Sequence, residues 1–198
     1  MNTPLLSYHN DPKIKRKYVN RLKCHRRLEH LTQGIGFESN GTTKGCAVGC
    51  TLDNYDHSRY PIELGLPEWL ARLEDYLFEQ LPKGEAEQFA EDFLRMIPVG
   101  VNVEPVRHRL AVARIDQSLT RLESDKEQYA DECRNALNLV KLWHQSQIDG
   151  KSESAAWSAA RSAARSAAWS AARSAWSAAR SAHIKWEAAT LLKLLSEA

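Results

Sequence analysis

The sequence predicts an all-α protein: a compact multi-helix body with a glycine-rich loop, then a long Ala/Ser-rich C-terminal helix that docks back or oligomerises. Three observations predict this. Apolar residues recur at helical spacing through most of the chain before Gly150. Asp, Ser and Pro stand where those periodic segments begin. From Ser152 to Leu195 no residue breaks a helix, and alanine, the strongest helix former, recurs throughout. The hydrophobic fraction is 43%, but much of it is alanine in the last quarter, so the core has to come from the body. The expected organisation is therefore a body over residues 1–150, carrying a glycine/cysteine-rich loop at 34–57, and a helix over 151–198.

Asp11-Pro12 reads as an N-cap with proline at the first helical position. Ile14, Tyr18, Leu22, Leu28 and Leu31 follow at roughly helical spacing, which predicts a helix ending near Gln33-Gly34. Residues 34–50, GIGFESNGTTKGCAVGC, hold five of the nine glycines and imply turns and close backbone approaches. Residues 51–62 read as a polar loop closing on Tyr60-Pro61. Pro67 opens a helix on Trp69, Leu70, Leu73, Leu77, Phe78 and Leu81, which breaks at Pro82-Lys83-Gly84. A helix from about Glu85 to Met96 follows on Phe89, Phe93 and Leu94 and stops at Pro98. Val99 to Val103 is the one β-branched cluster, too short to support a sheet. Helices resume from Glu104 to about Arg121 on Val106, Leu110, Ala113 and Leu119. Ser124-Asp125 then caps another on Tyr129, Cys133, Leu137, Val140 and Trp143, ending before Asp149-Gly150. Six or seven helices and no strand pair are expected.

From Ser154 a Ser-Ala-Ala-Xaa repeat places large residues at Trp157, Arg161, Arg165, Trp169, Arg173, Trp176, Arg180 and His183. Each four-residue step turns a helix about 400°, and the three-residue step from Arg173 to Trp176 turns it back by about 60°. Trp169, Arg173, Trp176 and Arg180 are thereby gathered into one ridge on a rod of about 60 Å. The ridge suits packing into a groove, a partner or a second copy; nucleic acid is not expected, because Ser and Ala add no charge and Glu153 and Glu187 flank it. The amphipathic end, Trp186, Leu191, Leu192, Leu194 and Leu195, has to be buried somewhere.

The net charge of +2 argues for neither a nucleic-acid nor a membrane partner, although residues 13–27 carry eight Lys and Arg and no acid. That stretch reads as a solvated face, or as a phosphate-tracking patch. No apolar run reaches membrane-spanning length, and the N-terminus lacks the pattern of a secretory signal. With Cys24, Cys46, Cys50 and Cys133 read as reduced thiols, the expected compartment is the bacterial cytoplasm.

Chemistry is concentrated in the glycine/cysteine segment. Gly41-Thr42-Thr43-Lys44-Gly45 has the ingredients of a phosphate cradle, though Thr42 stands where the Walker lysine belongs. The expected ligand-binding residues are Thr42, Thr43, Lys44, Cys46, His57 and Arg72. A second reading makes Cys46 a thiol nucleophile at a helix N-terminus, with His25, His30 or His57 as base. A third makes Cys46, Cys50 and His57 zinc ligands, or replaces His57 by Cys24 and His25, although one tight ligand pair falls short of the usual two. In the plainest reading Cys46 and Cys50 are small buried side chains, and Glu68, Glu74 and Asp75 are surface charges, with Glu68 pairing Arg72 at i, i+4. No cofactor is expected.

The runs KGCAVGCTL (44–52), LGLPEWLARLED (64–75) and IPVG (97–100) resemble an uncharacterised family of bacteriophage and prophage proteins, many of which end in an alanine-rich helix. The resemblance covers residues 25–103 and the style of the tail, and it implies context rather than activity. It implies a non-catalytic counter-defence protein that sequesters a nucleotide-derived immune signal or binds a host defence protein. A cysteine-dependent enzyme using Cys46 and an oligomerising helical protein are the alternatives.

Overall fold

The computed structural model describes residues 4–123, 130–150 and 178–198. The protein is all-α. Its helices are α1 (Pro12–Arg27), α2 (Ala47–Leu52), α3 (Tyr60–Leu64), α4 (Glu68–Gln80), α5 (Lys83–Met96), α6 (Glu104–Glu123), α7 (Ala130–Ile148) and α8 (Ala178–Ser196). Contacts divide the chain into one unit of residues 4–104 with Ile184–Ala198, and a second of Pro105–His183. The expected Ser124-Asp125 cap, the repeat up to Trp176 and, of the ridge, Trp169, Arg173 and Trp176 lie outside the described residues.

In the first unit α1 begins as expected: Pro12 is at its first turn and the Asp11 carboxylate accepts from Lys13 N at 2.8 Å. It is shorter than its apolar spacing predicts. Glu29 adopts a left-handed φ of 57°, so the chain turns out of the helix after Leu28, which is 58% exposed. Leu31 instead bridges to Gly45. A second correction concerns strands: Phe37–Glu38 (β1) pairs antiparallel with Lys44–Gly45 (β2), in register Phe37↔Gly45 and Glu38↔Lys44. The expected polar loop at 51–62 contains a 3-10 turn at His57–Arg59, capped by Asp56, and its end forms α3. The expected break between α4 and α5 is present at Leu81-Pro82, and α5 starts two residues earlier than its apolar spacing suggests, at Lys83 with Pro82 as N-cap.

Helices α1, α2, α4 and α5 enclose the core, whose largest fully buried side chains include Tyr18, Leu22, Leu70, Leu77, Phe78, Phe93 and Leu94. Tyr8 belongs to it as well: the turn Tyr8-His9-Asn10, left-handed at all three residues, drives its ring inward, where Oη donates to Leu94 O at 2.5 Å. Ser7 ties this turn to the extended link after α5, donating from its backbone N to Val101 O at 2.9 Å and from Oγ to Pro98 O at 2.6 Å. The end of α8 completes the unit, burying Ile184, Ala188, Leu191 and Leu195 while Lys185 Nζ reaches Glu85 on α5 at 2.5 Å. The apolar end of the tail is thus packed, on a stripe that includes Ile184 but leaves Leu192 and Leu194 half-buried.

In the second unit α6 and α7 run antiparallel, because His108 lies against His144 (Nδ1 to Nδ1, 2.9 Å) while Asp116 pairs with Lys141 at 2.6 Å. Among the described residues its buried apolar side chains include Val106, Leu110, Ile115, Cys133 and Ala136. Among the described residues, no helix is long and apolar enough to cross a membrane.

The close backbone approaches expected of the glycines converge on one point. A Cβ on Gly49 would collide with the Gly36 carbonyl oxygen, so only glycine lets α2 lie against the 34–37 segment. Gly49→Ala should therefore destabilise the first unit by about 1–3 kcal/mol. Gly84→Ala, in the open first turn of α5, should stabilise it by about 0.5–1 kcal/mol. Urea unfolding of the two variants beside the parent checks both signs.

Candidate functional site

The glycine/cysteine segment folds as strand, hairpin and helix, and its polar side chains meet α4. Cys46 is the N-cap of α2, its backbone N–H held by Ile35 O at 2.7 Å and its Sγ accepting from Gly49 N at 3.4 Å. These bonds turn the thiol inward, and Cys46 is 1% exposed. Asp75 and Glu79 stand one turn apart on α4, and one oxygen from each lies with Cys46 Sγ in a group whose members are all within 4.8 Å of one another. Donors anchor the two carboxylates from outside. Asp75 Oδ2 accepts from Tyr55 Oη at 2.8 Å and from His57 Nε2 at 3.1 Å, and Glu79 Oε2 accepts from Gly34 N at 2.8 Å. Asp75 Oδ1 is buried and has no hydrogen-bond partner.

Electrostatics follow from this crowding of acids. Burial, then the Asp75 charge, pushes the Cys46 thiol far above its usual range, so it is protonated at neutral pH. Burial and Asp75 also raise Glu79, against the Gly34 hydrogen bond. Tyr55 is pushed up to about 12, first by its hydrogen bond to Asp75. One residue before Asp75, Glu74 is 0% exposed and pushed up to about 8, mainly by burial, although Tyr60 Oη donates to it at 2.6 Å.

The expected ligand-binding set is brought together only in part. Cys46 and His57 both meet Asp75. Thr42 and Lys44 are exposed, with Thr43 half-buried, at the tip and second strand of the β1–β2 hairpin. Arg72 is on the solvent side of α4, held by Glu68 at 2.5 Å. The end of α2 is no open phosphate cradle, because the Gly36 carbonyl covers Gly49.

The nucleophile reading loses its chemistry here: a reactive thiol needs a cation or imidazole beside it, and Cys46 faces carboxylates while His57 is taken by Asp75. His25 and His30 pair with each other through Nδ1 at 3.0 Å, and His25 Nε2 binds Asp53 at 2.9 Å. Of the suggested metal ligands, Cys50 turns away and donates to Gly45 O at 3.4 Å, while Cys24 is exposed. Among the described residues the one cluster with ligand spacing is Cys46, Asp75 and Glu79.

Reading Glu74 and Asp75 as surface charges is corrected by their burial. A signal for Glu74 was present in the sequence, since it falls four residues after Leu70 and three and four before Leu77 and Phe78, on the apolar face of α4. Asp75 and Glu79 follow it at the edge of that face, and nothing local to α4 announces that Cys46 lies opposite.

The basic stretch of α1 is largely spent on structure. Arg21 pairs with Asp53 at 3.2 Å, Lys23 and Arg26 hold Glu91, and Lys15 donates to Ile97 O at 2.6 Å. A cleft of about 840 Å³ between α1 and α5 is lined by Lys23, Arg26 and Arg27 against Glu29, Glu87 and Glu91, so its charges are balanced.

Two outcomes follow for solution chemistry. In the native protein a thiol reagent should modify Cys24 rapidly, with Cys46, Cys50 and Cys133 reacting only on unfolding; rapid loss of the Cys46 thiol, read by mass spectrometry, would contradict its burial. Because the folded state keeps a proton on Glu74 up to about pH 8 and the unfolded chain releases it near its ordinary value of 4.5, stability should fall as pH rises between those limits. Glu74→Gln removes that loss, so the variant should exceed the parent by about 1–2 kcal/mol at pH 8.5 and lose the advantage near pH 4.5, by urea unfolding at both pH values. No protein-family model, curated protein or solved structure gives a significant match to the chain.

Proposed function

We propose that the chain is a non-catalytic, phage-type accessory protein that works in the bacterial cytoplasm as a counter-defence factor. It binds and sequesters a phosphate-bearing small molecule, such as a nucleotide-derived immune signal. The observation that carries the non-catalytic part is the state of Cys46: buried, protonated and set against Asp75 rather than against an imidazole. Binding is assigned to the hairpin, where Thr42, Thr43 and Lys44 offer two hydroxyls and an ammonium to phosphate oxygens. The hairpin has a fixed base: β2 pairs with β1, and Gly45 N donates to His30 O at 3.0 Å. The phage context is supplied by the family resemblance of the KGCAVGC and LGLPEWLARLED runs.

Thermal unfolding in the presence of nucleotides and cyclic nucleotides tests the proposal. A ligand at about 100 times its Kd stabilises the folded state by about 2.7 kcal/mol, a rise in Tm of about 5–10 °C for a chain of this size. The double variant Thr43→Ala/Lys44→Ala should retain the parent Tm without ligand and lose most of that rise. An unchanged Tm with every nucleotide tried, or an equal rise in the double variant, rejects the hairpin as a phosphate site.

A further inference from the structure

We propose that Cys46, Asp75 and Glu79 form a binding site for a thiophilic divalent metal ion, Zn²⁺ in the first place, that clamps α2 to α4. The site is separate from the hairpin tip, and its existence does not depend on what the tip binds.

Three features of the site support this. First, a thiol and two carboxylates from different elements present ligand atoms that all lie within 4.8 Å of one another. With Zn–S about 2.3 Å and Zn–O about 2.0–2.2 Å, tetrahedral ligand atoms stand about 3.4–3.6 Å apart, so small side-chain rotations of the two carboxylates would close this group on a single ion. Second, Asp75 and Glu79 are like charges one helical turn apart on a partly buried face, an arrangement that destabilises a helix unless a cation offsets it. Among the described residues the basic group on either carboxylate is His57, which pairs with Asp75 Oδ2. Third, Asp75 Oδ1 is wholly buried and no N–H or O–H donor reaches it, although the other oxygen of the same carboxylate has two donors. A buried oxygen left unpaired costs about 1–3 kcal/mol, and a metal bond supplies the missing partner.

The surrounding donors have the form of an outer coordination shell. Tyr55 Oη and His57 Nε2 orient Asp75, Gly34 N orients Glu79, and Gly49 N orients the sulfur. A sulfur ligand selects against Mg²⁺ and Ca²⁺, which take oxygen, and in favour of Zn²⁺ or Co²⁺. Three protein ligands leave the fourth tetrahedral position to water. On binding, the Cys46 S–H bond is broken, its proton leaves to solvent and the sulfur electron pair becomes the metal bond; no redox change is involved.

The test uses the full chain, stripped with chelator and reloaded. After dialysis against Zn²⁺ and desalting, elemental analysis should find about one zinc per chain. Co²⁺ in place of Zn²⁺ should give a near-ultraviolet thiolate-to-cobalt charge-transfer band. Cys46→Ser should abolish that band, while Cys24→Ser and Cys50→Ser keep it. Glu79→Gln leaves the thiol and the core untouched and should weaken Co²⁺ binding at least about tenfold, with an unchanged far-ultraviolet circular dichroism spectrum. The proposal is overturned if the desalted chain retains no zinc, if the band survives Cys46→Ser, or if Glu79→Gln binds Co²⁺ as tightly as the parent.

Discussion

The arrangement of the first unit depends on one backbone contact, that of the Gly36 carbonyl against Gly49. A helix as short as α2 has little stability of its own, since nucleating a helix costs more than its few hydrogen bonds return. It exists because the 34–37 segment lies directly on it, which needs a position without a Cβ at Gly49. The same segment receives the Cys46 N–H through Ile35 and Gly36, and β1 continues from it into the hairpin. Helix, hairpin and thiol are therefore placed together. Tyr55 closes the arrangement from the other side, its ring so near Gly36 that a side chain there would displace it.

Against this fixed backbone α4 presents three acids in three different states. Glu74 points into the core and is held neutral by burial, with Tyr60 as its one donor. Asp75 is at the rim, with one oxygen fully bonded and the other bare. Glu79, a turn further on, is tied to the Gly34 N–H. Their spacing along one helix makes the gradation unavoidable: residues 74, 75 and 79 cannot all face water while Leu70, Leu77 and Phe78 face the core. A core that accepted apolar residues at these positions would be more stable, since carboxylates in such places are costly to bury. Their presence is the feature of the unit least explained by folding alone.

The helical class and several helix boundaries were legible in the sequence, because they rest on local chemistry: Asp11-Pro12 at the start of α1, Pro67 before α4, Pro98 after α5. What was not legible depended on contacts between distant segments. The early end of α1 follows from Leu31 leaving to meet Gly45, and the hairpin from a register that joins residues 37–38 to 44–45. Tyr8 entered the core through a turn of three left-handed residues that no glycine signals. The candidate site was legible by halves. Cys46 stood out in a glycine-rich run, but its partners were sought among histidines and cysteines, whereas the fold supplies carboxylates that looked like ordinary surface charge.

That substitution of partners changes what the segment is suited to do. Glycine density, a cysteine at a helix start and a nearby histidine form a pattern shared by phosphate loops, thiol enzymes and metal sites alike. The discriminating quantity is the sign of the charge around the sulfur. Cations or a helix dipole acting on an exposed thiol would make a nucleophile. Here the thiol is buried, Asp75 and Glu79 converge on it, and the His57 ring is bonded to Asp75 Oδ2. Such a setting suppresses the thiolate until a positive charge enters, and a metal ion is the species that both neutralises the carboxylates and takes the sulfur as a ligand. Phosphate recognition, as proposed for this chain, needs the opposite potential and would fall to the hairpin, where Lys44 is exposed to solvent.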